Sequence, residues 1–192
     1  MEAMPVFVFD FFGVICSEIA PFVLPKYMSK EQAVAYKATI VRDADTGAIS
    51  QGEMFERLSK IAQVPAAQLH EEFWSFVRID PDMVALIEDL RTRHRVALLT
   101  NALTPFFRQI AAKHDLERLF EIILVSSEEG LAKPDSAFFR LMVEKLGVME
   151  EDCVFIDDNI ENIEAARSVG MQALLFDGAD NLKRKLARFT RA

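Results

Sequence analysis

Apolar runs of four residues return five times along the chain, and every gap but the first has room for little more than a helix or two. The first run, Val6-Phe7-Val8-Phe9, stops at Asp10 and is followed by Phe11-Phe12-Gly13-Val14. A run this short, rich in Val and Phe, reads as a strand buried on both faces. Val96–Leu99, Ile122–Val125, Cys153–Ile156 and Ala173–Phe176 repeat it. Between them, apolar positions fall at helical spacing. Asp80-Pro81 caps a helix to about Arg93, with Pro at its first position. Thr104-Pro105 opens another, to about His114. A loop holding Gly130, Lys133 and Pro134 leads into a helix through Phe138, Leu141 and Leu146. The fourth strand is followed by a helix to about Val169, with Gly170 as its C-cap, and a basic amphipathic helix closes the chain. Strands alternating with helices imply an α/β fold, a five-stranded parallel sheet with helices on both faces.

The first gap is different. From Ser17 to Ile79 no strand is evident. Ser29-Lys30-Glu31-Gln32 reads as a capping box opening a helix to about Asp43, and Ser50-Gln51-Gly52-Glu53 as a second. Pro65 starts a third helix, carrying Leu69, Phe73, Trp74 and Val77. The polar turn Asp43-Ala44-Asp45-Thr46-Gly47 joins two of them. The expected organisation is an α/β core of residues 1–16 and 80–192 with a helical insertion at 17–79.

Composition narrows the function. With 51% hydrophobic residues, the 192-residue chain can fill a sizeable core. Its net charge of -8 disfavours non-specific attraction to nucleic acid or anionic membrane. An acidic protein handling an anion needs local help from a metal or a placed cation. Cys16 and Cys153 both lie in apolar stretches, which argues against a disulfide framework and suits a reducing cytoplasm. No run approaches the ~18 apolar residues of a membrane span, and no basic region precedes the first strand as a signal peptide requires.

The polar residues collect at one edge. Asp10, Thr100, Asp157 and Asp158 all fall at carboxyl ends of expected strands, where open α/β sheets bind ligands. Converging carboxylates repel unless a cation sits among them, and oxygen ligands with room for water suit Mg²⁺. Lys133 and the amides after Asp10, at Phe11, Phe12 and Gly13, could neutralise a phosphoryl group. Thr100 could donate to it, helped by free amides of the following helix. Asp10 is then an oxygen nucleophile. Each position also has a structural reading: a capping aspartate, a capping threonine, a solvated lysine. The three histidines lie in polar helical contexts and suggest no zinc site.

The four segments together resemble the haloacid dehalogenase-like hydrolases over essentially the whole chain. Phe9–Val14, Leu99–Ala102, Gly130–Asp135 and Phe155–Asn159 with Asn162, Ala165, Ala166 and Gly170-Met171 are similar to that superfamily's four ordered motifs. The resemblance implies a Rossmann-like core with residues 17–79 as a small helical cap. Gly47–Ser50 is similar to the sugar-phosphate branch, including an α-glucose-1-phosphatase. It further implies a Mg²⁺-dependent hydrolase of phosphorylated small metabolites, working through an aspartyl-phosphate on Asp10. Mg²⁺ would be held by Asp10, the Phe12 carbonyl and Asp158, with Asp157 one step behind. Thr100, Asn101 and Lys133 would hold the phosphoryl group. One departure stands out. Most phosphatases of the superfamily carry a second aspartate where this chain has Phe12, and a placed acid is worth about 10²–10⁴-fold. Three readings follow: a phosphatase of esters with good leaving groups, a 2-haloacid dehalogenase, or a binding protein that has lost turnover. Arg42, Trp74 and Arg78 are candidates for substrate selection in the cap.

Overall fold

The computed structural model describes residues 4–190. Its centre is β1 (Val6–Phe9), a strand buried at every position. Four further strands join it: β2 (Val96–Thr100), β3 (Ile122–Val125), β4 (Cys153–Asp157) and β5 (Gln172–Leu175). All pair in parallel, in the order β3-β2-β1-β4-β5. The chain thus builds outward from β1 on one side, then crosses back to start the other side with β4. The crevice at the carboxyl ends of β1 and β4 is the switch point where such sheets bind ligands.

Alternation along the strands splits the core into two layers. Phe7, Phe9, Leu98 and Ile156 face one side, and Val6, Val8, Leu99 and Phe155 the other. The helices that cover these layers come from the later gaps. In the first gap the chain forms α1 (Ala20–Val23), α2 (Lys30–Tyr36), α3 (Arg42–Asp45), α4 (Gln51–Ala62) and α5 (Ala66–Ser75). After it come α6 (Pro81–Leu90), α7 (Thr104–Lys113), the single turn α8 (Ser126–Glu129), α9 (Ser136–Leu146), α10 (Ile160–Ser168) and α11 (Ala179–Leu186).

Residues 17–79 add no strand to the sheet. The chain leaves and re-enters the core through one paired stem. Cys16 bridges Ile79, the Ser17 amide donates to the Arg78 carbonyl and the Asp80 amide to the Ile15 carbonyl.

Several expected boundaries move, each for a local reason. The Ser29 box is complete, whereas Ser50 only caps the Glu53 amide, because the Glu53 side chain turns to Arg57 at 2.6 Å. The helix from Lys30 does not stop at Asp43. It passes through a π-turn (Lys37–Val41) into α3, so Asp43 and Asp45 are helical and the turn begins at Thr46. The helix after the Lys133 loop opens at Ser136 under an Asp135 cap. Thr100 and Asp157 lie inside their strands. Asp157 is still paired, with the Phe176 amide donating to its carbonyl. The first three and last two residues of the core range read from the sequence lie outside the described residues.

Candidate active site

The site grows from the end of β1. The Asp10 amide still donates to the Ile156 carbonyl, so its backbone continues the sheet while its side chain has left it. Asp10 Oδ1 accepts from the Phe11 amide at 2.6 Å and from Lys133 Nζ at 2.7 Å. Among the described residues Oδ2 has no donor. Phe11 turns its ring into the core, edge-on to Phe107 at 5.0 Å. Its carbonyl then accepts the amides of Val14, Ile15 and Cys16, which fixes the turn after Asp10. The Gly13 amide donates to the Cys16 carbonyl. Of the three amides expected to cradle a phosphoryl group, only that of Phe12 therefore remains without an acceptor among the described residues.

Lys133 is not the solvated loop lysine of the structural reading. Its side chain is 1% exposed and lies between Asp10 Oδ1 and Asp157 Oδ2, the latter at 2.8 Å. Asn101 sets it there. The Asn101 side chain donates to the Lys133 carbonyl and accepts from the Lys133 amide, both at 2.8 Å. These bonds employ Asn101 in positioning the lysine. Asp157 is fully buried and fully partnered, by Lys133, by the Asn159 amide and by Asn162 Nδ2. Its carboxylate has little capacity left for direct metal contact.

Asp158, the next residue, reaches the cavity surface beside Gly13. A Cβ on Gly13 would lie 2.2 Å from Asp158 Oδ2, and Gly13 has φ +85°. Glycine is needed there on both counts. The amides expected to help Thr100 are already used: Ala102 N donates to Ser126 Oγ and Thr104 N to Ser127 Oγ, both at 2.9 Å. Thr100 Oγ1, by contrast, is buried with no partner among the described residues. A buried hydroxyl without a partner costs ~1–3 kcal/mol, which a ligand could recover.

Electrostatics make the cluster incomplete as it stands. Asp10, Asp157 and Asp158 bring ligand atoms within 4.8 Å of one another, against one ammonium. Burial pushes Asp10 well above the ordinary carboxylate range, Lys133 opposes this and Asp157 adds to it. Asp158 is pushed up to about 6, first by burial and then by Asp157 and Glu18. Burial works against the charge of Lys133, but the two aspartates outweigh it and raise its pKa. The Asp10 carboxylate, Asp158 and the Phe12 carbonyl are oxygen donors open to a small hard cation, and a divalent charge would relieve the repulsion. The residues fit Mg²⁺.

Over the cluster lies a cavity of about 660 Å³ shared by the strand ends and the helices of 17–79. Arg42 lines it; Trp74 and Arg78 do not. Trp74 packs on Phe106 with ring centroids 5.3 Å apart, and Arg78 donates to the Val77 carbonyl. Three lining carboxylates, Glu18, Asp45 and Glu161, escaped the sequence reading. Asp45 looks like a turn residue in the sequence, but it ends α3, after the π-turn, and lines the cavity. Burial pushes Asp45 up to about 7, with Lys37 opposing and Glu18 assisting. Between its unfolded pKa of ~3.9 and about 7, the folded chain holds a proton that the unfolded chain has released. Stability from this group is therefore lost as pH rises through that window. Asp45→Asn is expected to raise the melting temperature by a few degrees at pH 8 and by less at pH 5. Parallel melting curves across pH for the two proteins would contradict it.

The family model described as hydrolase, haloacid dehalogenase-like hydrolase, matches residues 4–170. Over 149 residues, 74% of its length, the chain is 31% identical to drimenol cyclase drtB of Aspergillus calidoustus, of which this region spans 28%. It is 26% identical to sesquiterpene phosphatase astK of Aspergillus oryzae, over 87% of each protein. In fold it is similar to a HAD family enzyme of Bacteroides thetaiotaomicron, with a TM-score of 0.83 at 19% identity over 96% of this chain and 99% of that one. That enzyme's complex with magnesium and inorganic phosphate is matched with a TM-score of 0.78 at 22% identity, over 91% and 95%.

Proposed function

The chain belongs to the haloacid dehalogenase-like hydrolases, and from that premise we propose that it is a Mg²⁺-dependent phosphatase of small phosphomonoesters. One observation carries this reading: a nucleophile-ready carboxylate, Asp10, shares a buried lysine with Asp157 while a third carboxylate, Asp158, stays open to a cation. The complex of a fold neighbour with magnesium and inorganic phosphate supports the choice of ligands. A carboxylate cluster of this kind also fits a metal-dependent reaction better than metal-free dehalogenation.

Asp10 Oδ2 attacks phosphorus, the bond from phosphorus to the ester oxygen breaks, and the leaving oxygen takes a proton from solvent water. Water then attacks phosphorus of the aspartyl-phosphate, releases inorganic phosphate and restores Asp10. Lys133 and the Phe12 amide offset charge on the phosphoryl oxygens, and the unpartnered Thr100 hydroxyl donates to one of them. Asn101 and Asn162 keep Lys133 and Asp157 in register. Bound Mg²⁺ supplies positive charge that lets two anions meet; Asp10, Asp158 and the Phe12 carbonyl would hold it. Residues 17–79 act as a cap that closes the cavity over the reacting group, hinged at the stem of residues 15–17 and 78–80. The two cysteines are free and buried, as suits a cytoplasmic protein.

Phe12 supplies no proton to the leaving group, so rates should depend steeply on leaving-group basicity. The test is phosphate release from an aryl phosphate and a primary alkyl phosphate, with Mg²⁺ and with excess chelator. Mg²⁺-dependent turnover, faster for the aryl ester, is expected. Phe12→Asp should raise the alkyl rate about 10-fold or more relative to the aryl rate, within the ~10²–10⁴ available to a placed acid. An equal loss for both esters would make Phe12 a packing residue. Chloride release from a 2-haloacid in chelator would instead support dehalogenation.

A further inference from the structure

We infer that the ester carried by this phosphatase is that of an apolar alcohol, a hydrocarbon chain or ring system seated under the helices of residues 17–79. The inference rests on the phosphatase reading for the end of the cavity that receives phosphate. It concerns the other end, and it comes from what lines the walls.

Away from the carboxylates, the walls are side chains of Ile19, Val34, Val41, Phe55, Phe73 and Phe106. They come from both partners of the cleft. Phe106 stands on α7 of the sheet layer, and the others on the stretch between β1 and α6. Phe12, in the position where a carboxylate would make the floor polar, adds another apolar surface beside Asp10. Val34 is 69% exposed, which leaves a large apolar side chain uncovered on α2 at the cavity.

A polyhydroxylated substrate needs neutral hydrogen-bonding groups arranged around it. Among the described residues no Ser, Thr, Tyr, Gln or His lines this cavity. Of its three asparagines, Asn101 has both amide ends on the Lys133 backbone, Asn159 Oδ1 accepts from the Glu161 amide and Asn162 Nδ2 donates to Asp157, so few neutral polar groups are left for a ligand. The lining cations other than Lys133 are Lys37 and Arg42, both exposed. The lining carboxylates outside the metal cluster are Glu18, Asp45 and Glu161. A sugar would leave its hydroxyls against hydrocarbon, which is costly, whereas an alkyl or prenyl body would gain from every methylene buried. At about 660 Å³ the cavity is within the range that holds a ligand of drug size.

The experiment uses n-alkylphosphonates from methyl to decyl, whose carbon–phosphorus bond resists hydrolysis, titrated calorimetrically into the full chain with Mg²⁺. Leaving-group chemistry plays no part in this readout. The dissociation constant is expected to fall about two- to fourfold per added methylene until the cavity is filled. Chains of equal length bearing several hydroxyls should bind at least tenfold more weakly than their alkyl counterparts. Val34→Asp, at an exposed position, and Val41→Asp should each weaken the decyl compound at least tenfold more than methylphosphonate. A dissociation constant that does not change with chain length, or hydroxylated chains that bind as tightly as alkyl ones, overturns the inference. Turnover of an aryl phosphate is read in parallel. Turnover with a flat chain-length series removes the apolar substrate and keeps the phosphatase; a steep series without turnover supports the apolar ligand and removes the phosphatase.

Discussion

Asp10→Asn is expected to abolish Mg²⁺-dependent phosphate release, by about 10⁴-fold or more, while the protein stays folded. An amide oxygen in place of Oδ2 is a far weaker nucleophile, and no neighbouring group can replace it. Asp157 is held by Lys133, Asn162 and the Asn159 amide, so it cannot swing toward phosphorus. Folding survives because two effects oppose each other. Burial disfavours the charge of Asp10, and the neutral amide removes that penalty. The same change takes from Lys133 one of its two counter-ions but leaves Asp157. A melting temperature within a few degrees of wild type is expected. Substantial turnover in this variant would remove Asp10 as nucleophile, and a collapsed fold would make it a structural residue first.

Lys133→Met is expected to lose stability as well as activity. The methionine roughly preserves side-chain length but deletes the one ammonium between two buried carboxylates. Removing one partner of a buried ion pair typically costs about 3–5 kcal/mol. The loss should shrink as pH falls. Burial already pushes Asp10 up and Lys133 opposes that rise, so without the lysine Asp10 binds a proton more readily in the folded chain than in the unfolded one, and acid restores part of the stability. Denaturant melts of both proteins at pH 5 and pH 8 check the sign. A gap that is wider at pH 5 would mean that the lysine is not compensating these carboxylates. Activity is expected to fall below detection at either pH, because the group that faces both the nucleophile and the incoming phosphoryl oxygens is gone.

The sequence shows why carboxylates gather at one edge of the sheet, and the reason is physical. Asp10, Thr100, Asp157 and Asp158 stand at the ends of uniformly apolar runs, and a parallel sheet brings such ends together whatever the helices do. The parallel sheet was legible from the alternation of strands and helices, whereas its order and the bridge between Cys16 and Ile79 come from the structure. What stayed hidden depended on contacts between distant residues. Nothing local shows that Asn101 will clamp the backbone of Lys133, 32 positions away, or that Ser126 and Ser127 will take the amides expected to bind phosphate. The two serines directly after the third apolar run were the available signal. Asp45 was read as a turn residue because a π-turn, which shifts the helical phase, cannot be seen in a pattern of apolar positions. Of the three side chains considered for substrate selection, only Arg42 lines the cavity. Trp74 was attractive by residue type, yet its ring is spent on packing against Phe106.

The most direct test of the central claim is to look for the covalent intermediate. The wild-type chain would be mixed with an aryl phosphate and Mg²⁺, quenched in acid within the first turnovers and digested for mass spectrometry. The mass of one phosphoryl group is expected on the peptide that carries Asp10, absent with chelator and absent in Asp10→Asn. Rapid Mg²⁺-dependent phosphate release with the Asp10 peptide never modified, or a phosphoryl group found on another residue, would contradict the assignment of Asp10 as the nucleophile.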